Sequence, residues 1–211
     1  MSSVAITGNA AGAGVFTIAS PNSASSFTST LPAATTTLVG TDATQTLTNK
    51  TIQGGAITSG TAVASTSGTS IDFTGIPSYV KRITVIFNGV GTSGTVGYLI
   101  QIGSGSVTSS GYVGGGNRLG AATGVPATST AGFLINSGAS GGAKNGSIAI
   151  KLMNTTFGYV ADGVMFSSSE SNQYLTGGAV TLSGLLDRVR ITTTNGTDTF
   201  SAGSINILYE G

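Results

Sequence analysis

The chain has no cysteine, no histidine and no tryptophan, and only four prolines among its 211 residues. Without cysteine there is neither disulfide chemistry nor a thiolate nucleophile. Without histidine the common zinc ligand sets and the Ser-His and Cys-His nucleophile pairs are excluded as well. Charge is also scarce: eight basic and seven acidic side chains make up 7% of the residues, against roughly a quarter in an ordinary soluble domain. A net charge of +1 with no basic cluster interleaved with aromatics gives no basis for phosphate-backbone binding, so nucleic acid is not an expected partner. No apolar run approaches the roughly 20 residues of a membrane-spanning helix, and Met1–Ala10 lacks the basic and apolar regions of a signal peptide. The expectation is a chain without membrane insertion and without cofactors.

What is present is glycine, 34 residues of it, together with abundant Ser and Thr and a hydrophobic fraction of 39%. Disordered chains combine low hydrophobicity with high net charge, and this chain has neither property. A fold carried by short strands, with hydroxyl and amide groups in place of surface charge, fits the composition. Up to Thr41 the chain is uncharged and reads as short strands, Val4–Thr7, Val15–Ala19 and Phe27–Leu31, separated by turns. Strands this short and polar bury too little surface alone, and symmetric association would supply the rest. Residues 1–41 are therefore read as a trimerising or particle-anchoring β region. Residues 42–70, with isolated aliphatics at Leu47, Ile52, Ile57 and Val63, are read as a stem or linker, either a flexible tether or a β-stranded stalk with those aliphatics turned to a trimer axis.

From Ile71 onward strand signals follow closely: Arg82–Phe87, Tyr98–Ile102, Phe133–Ile135, Ser147–Met153, Tyr159–Phe166, Ala179–Leu182, Asp187–Thr194 and Ser204–Tyr209. In Arg188-Val189-Arg190-Ile191 the arginines take one face and the aliphatics the other, so one face is buried and one solvated. Asn195-Gly196 is a hairpin signal. No helical period is sustained. The predicted fold class is all-β, with residues 71–211 forming an antiparallel, jelly-roll-like β-sandwich. Its core should contain Ile83, Val85, Phe87, Ile100, Ile148, Ile150, Val189, Ile191 and Ile205.

Three stretches resemble bacteriophage tail-fibre and virion decoration proteins. GNAAGAGVFTIASPNSASS (Gly8–Ser26) with TLPAATTTLVG (Thr30–Gly40) is similar to a glycine- and asparagine-rich N-terminal module of phage fibres, and ATQTLTNKTI (Ala43–Ile52) resembles their short TLTNKT element. Thr69–Val90 and Leu182–Glu210 look like a β-sandwich found at the C-termini of phage tail proteins. The resemblance implies a virion location and a homotrimer that docks on other virion proteins through its N-terminal region. The implied roles are a tail-fibre or tail-tip subunit that attaches to a host-surface glycan or protein, or alternatively a capsid decoration or head-fibre subunit that stabilises the shell.

No catalytic constellation is expected. Glycoside hydrolysis needs two carboxylates flanking the scissile bond, and the only pair close in sequence, Asp162 and Glu170, reads as solvated loop carboxylates. Gly114-Gly115-Gly116 and Gly103-Ser104-Gly105 lack the lysine and helix of a phosphate loop and read as flexible loops. Phe73, Tyr79, Phe87, Phe166 and Phe200 sit in or beside strands and are assigned to the core. Two polar, glycine-rich segments, Gly103–Thr130 and Ser167–Gly178, are read as long loops on a rigid frame, where binding residues collect. Their Tyr112, Asn117, Arg118, Asn172, Gln173 and Tyr174 are the receptor-binding candidates, since an aromatic face flanked by amide and guanidinium donors suits a sugar ring.

Overall fold

In a computed structural model the described residues are 57–120, 124–136, 143–154, 156–167 and 169–211, with residues 12 and 24–26 near the N-terminus. The chain divides into two compact units, Met1–Lys50 and Thr51–Gly211. Apart from those four residues, the trimerising region 1–41 lies outside the described residues, as do the TLTNKT element and residues 42–56 of the stem.

The second unit is all-β. Its strands are β1 (Thr58–Ser59), β2 (Val63–Ala64), β3 (Ser70–Thr74), β4 (Arg82–Thr92), β5 (Tyr98–Ser104), β6 (Ser106–Val107), β7 (Val113–Leu119), β8 (Gly124–Thr128), β9 (Phe133–Ile135), β10 (Lys144–Leu152), β11 (Gly158–Ser167), β12 (Asn172–Thr181), β13 (Arg188–Thr193) and β14 (Phe200–Glu210). The longer sheet runs β1, β14, β4, β10, β11, β12, β7, β8, with β2 also on β14; the shorter runs β3, β13, β5, β6, with β9 also on β5. Every pairing is antiparallel.

Strand alternation builds the core. On β4 the residues Ile83, Val85 and Phe87 turn inward while Arg82, Thr84 and Ile86 turn outward. Ile148 and Ile150 on β10 and Ile205 and Ile207 on β14 extend the same inner face. They share one buried cluster with Ile71 and Phe73 on β3, Ile100 and Ile102 on β5, and Val189 and Ile191 on β13. All nine predicted core residues belong to it. Because both sheets contribute to one cluster, the unit is a sandwich.

Each of the eight predicted strands has a counterpart, and β13 shows the predicted division between half-buried arginines and buried aliphatics. Three further expectations need correction. The stem reading fails over 57–70, where β1 and β2 pair with β14 and β3 pairs with β13. The segments read as long loops contain β6, β7, β8 and most of β12, so the sandwich carries more strands than the eight predicted. Asn195-Gly196 does make a turn, with the Asn195 side chain accepting from the amides of Thr197 and Asp198 at 3.1 Å each. It joins β13 of one sheet to β14 of the other and is therefore a crossover rather than a hairpin.

One irregularity shapes the β4–β14 pair. Its register shifts between Phe200 and Ser204, where Gly89 and Gly203 hold φ values of 66° and 87°. A Cβ on Gly203 would lie 2.4 Å from the carbonyl of Gly89, so space as well as backbone conformation demands glycine there. Past this bulge β4 resumes with Val90 inward.

Candidate functional site

Both tyrosines proposed as sugar platforms are interior residues. Tyr112 is 2% exposed and Tyr174 is fully buried. The Tyr112 hydroxyl accepts from the Ile102 amide at 2.8 Å and donates to the Thr108 carbonyl at 3.1 Å. Burial pushes its phenol up to about 12, against a smaller opposing effect of the Ile102 backbone bond. Tyr174 lies on β12 between the exposed Gln173 and Leu175, so strand alternation alone turns it inward. Its hydroxyl donates to the Glu170 carboxylate, and burial is the main cause of its raised pKa.

The two candidate segments do converge, but as paired strands. Gln173 pairs with Leu119, Tyr174 with Arg118 and Leu175 with Asn117 across β12 and β7. Paired residues share a face, so Asn117 and Gln173 lie outward while Arg118 falls on the Tyr174 side. Asn172 donates to Glu170 at 3.4 Å. The six candidates therefore divide between two faces and do not form one patch. Gly114, Gly115 and Gly116 are likewise not a flexible loop. A Cβ on any of them would come within 2.5 Å of a neighbouring backbone atom, so this strand is glycine because its neighbours press against it.

The aromatic assignments partly exchange places. Phe73, Phe87 and Phe200 are core residues, whereas Tyr79 and Phe166 are exposed. Phe166 belongs to the outward face of the long sheet, with Val164 beside it on β11, Leu175 on β12 and Val113 on β7, all exposed. Charges on this face are paired: Lys151 with Asp162, and Arg82 with Glu210 at 3.3 Å. The alternation of Val164, Met165 and Phe166 contained this information, since Met165 must face in if its neighbours face out.

The outward face of the short sheet is polar. Arg190 donates to both oxygens of Asp72, at 2.7 and 2.9 Å, and the bridge raises the pKa of its guanidinium. Gln101 donates to the Ala131 carbonyl and Thr192 to the Thr69 carbonyl, both at 2.8 Å. These side chains, with Ser70 and Asn195, line an open groove of about 410 Å³. Sequence reasoning missed it because Gln101 sits within the apolar run YLIQI, where its outward direction carries no motif.

Asp162 and Glu170 do not converge on a cleft. Asp162 faces outward with Lys151. Glu170, expected to be solvated, has a side chain only 7% exposed and accepts from the fully buried Lys144 at 2.8 Å. The lysine nitrogen also stands 5.3 Å from the ring centroid of Tyr98 and 5.1 Å from that of Tyr174. Burial pushes the Glu170 carboxyl up, but bonds from Lys144, Tyr174 and Asn172, with the lysine charge, outweigh it and hold the pKa below its ordinary value. Among the described residues no group of three or more acidic side chains gathers to hold a metal.

No protein-family model matches the chain, and no curated protein or solved structure is significantly similar to it.

Proposed function

We propose that the chain is a structural subunit of a bacteriophage virion, a homotrimeric tail-fibre or tail-tip component that presents its β-sandwich to the host surface. The observation that carries this reading is the contrast between the two outer faces of the sandwich. The long sheet exposes Val113, Val164, Phe166 and Leu175, with its charges neutralised in pairs. Such a face suits burial against further copies, because identical copies then meet without like-charge repulsion. The short sheet carries a groove lined by hydroxyl and guanidinium groups and by the largely buried Gln101 amide, held by their own hydrogen bonds. Pre-oriented polar groups of this kind suit a polar surface ligand, and threefold repetition would raise a weak affinity by avidity. The N-terminal resemblance to phage fibre modules supplies the virion context.

Light scattering on the purified full chain tests the assembly, with three times the chain mass expected; a monomer overturns it. Copy number per particle tests the role. A few trimers at one vertex fits the fibre, whereas hundreds spread over the shell replaces it with capsid decoration.

A further inference from the structure

Lys144 opens β10, Ser167 closes β11 and Asn172 opens β12, and register places the three in one cross-strand row, Lys144 opposite Ser167 and Ser167 opposite Asn172. Glu170, in the turn between β11 and β12, connects the two ends of that row. One of its oxygens takes the Lys144 nitrogen at 2.8 Å, and the other takes the Asn172 side-chain nitrogen at 3.4 Å and the Tyr174 hydroxyl. The lysine side chain is fully buried, that of the glutamate is 7% exposed, and the rings of Tyr98 and Tyr174 flank the amine.

An ordinary interior ion pair needs no side-chain amide on the second carboxylate oxygen. The amine and the carboxylate are both withdrawn from water and stand 2.8 Å apart, so a proton has a direct path between them. A carboxylate touching both an amine and a primary amide can take a proton from the first and deliver one to the second, which is what general acid–base catalysis of amide exchange requires. We propose that Lys144 and Asn172 become joined by an intramolecular isopeptide bond, with Glu170 as the proton carrier.

In that reaction the Lys144 ammonium passes a proton to Glu170, and the neutral Nζ attacks Cγ of Asn172. As the new Nζ–Cγ bond forms, Nζ loses a second proton and Nδ2 gains one by way of the carboxylate. The Cγ–Nδ2 bond then breaks and ammonia leaves, taking the first proton from Glu170 as ammonium, so the carboxylate is regenerated. Nothing is oxidised or reduced, and no co-reactant is consumed. The product ties β10 to β12 across β11, a covalent link available to a chain without cysteine.

Mass spectrometry on the full-length wild type decides the matter. After allowance for N-terminal methionine processing, the intact mass should fall below the sequence mass by one ammonia. Trypsin should fail to cut after Lys144, and the peptides on either side of Lys151 should remain joined, with fragment ions placing the link at Lys144 and Asn172. Lys144→Met, Asn172→Ala and Glu170→Ala should each return to the unlinked mass of that variant. Wild type at its sequence mass with normal cleavage after Lys144 overturns the proposal. So does an ammonia loss located at Asn145-Gly146 or Asn195-Gly196, where a succinimide would account for it. A link that persists in Glu170→Ala removes the glutamate from the chemistry.

Discussion

The ring of Tyr112 meets that of Phe133 edge-on, with centroids 5.0 Å apart and planes at 90°. Phe133 lies on β9 and is itself buried, so this contact fixes the segment before β7 to the short sheet while the Tyr112 hydroxyl engages the β5 backbone. Replacing Tyr112 by Phe keeps the ring contact and leaves the Ile102 amide without its side-chain acceptor. A loss of about 1–3 kcal/mol is expected from an unsatisfied buried donor. Tyr112→Ala should cost about 3–5 kcal/mol, as for other large aromatic deletions. Urea unfolding followed by tyrosine fluorescence measures both, and a neutral Tyr112→Ala would return the residue to the surface.

Ile191 is fully buried on β13, whereas Lys151 lies on the solvated side of β10. Ile191→Ala should destabilise by about 2–5 kcal/mol. Lys151→Ala, which removes one member of an exposed ion pair, should change stability by no more than about 1 kcal/mol. Equal effects in thermal unfolding would mean that the faces of these strands are assigned incorrectly.

Gly203→Ala should lose more than about 1 kcal/mol, because the new side chain would have to adopt a left-handed backbone conformation and meet the Gly89 carbonyl. Gly177→Ala is the matched control: it lies on β12 with no atom within 4 Å of the added carbon. Comparison of the two unfolding midpoints separates the demand of the bulge from the general cost of removing glycine.

In the Asn172→Ala protein the Lys144–Glu170 ion pair persists without any link. Glu170 has a lowered pKa in the folded state, so folding favours its ionised form. The resulting stabilisation is complete above its unfolded value near 4.5 and is lost as pH falls through the lower folded value. Thermal midpoints of this variant should be level above about pH 5 and fall below it. Adding Glu170→Gln should flatten that acid limb, and an unchanged limb would assign the acid sensitivity elsewhere.

The sandwich was legible wherever β-branched and aromatic residues alternate with polar ones, as along Arg82–Phe87 and Arg188–Thr193. It was illegible along Val113–Leu119, because three successive glycines have no side chains to alternate and read as loop until a partner strand presses against them. That one misreading displaced the candidate site: Tyr112 and Tyr174 looked like loop aromatics only because the strands beside and beneath them went unrecognised. Glu170 failed for another reason. Its burial depends on Lys144, 26 residues earlier, and no local pattern announces a pairing between two charges so far apart.

The borders of the long sheet bear on its behaviour in a crowd. At one border, among the described residues, β14 is covered by the two-residue strands β1 and β2. At the other lies β8, whose middle residue is Pro126, opposite Asn117. A proline offers no amide to an incoming strand, and two-residue segments offer almost no ladder to extend. The sheet therefore gives a neighbouring molecule little backbone on which to zip, although its charge content is too low for repulsion to keep molecules apart. Protection against fibrous growth is built into its margins, and contact between molecules is left to side chains on its faces.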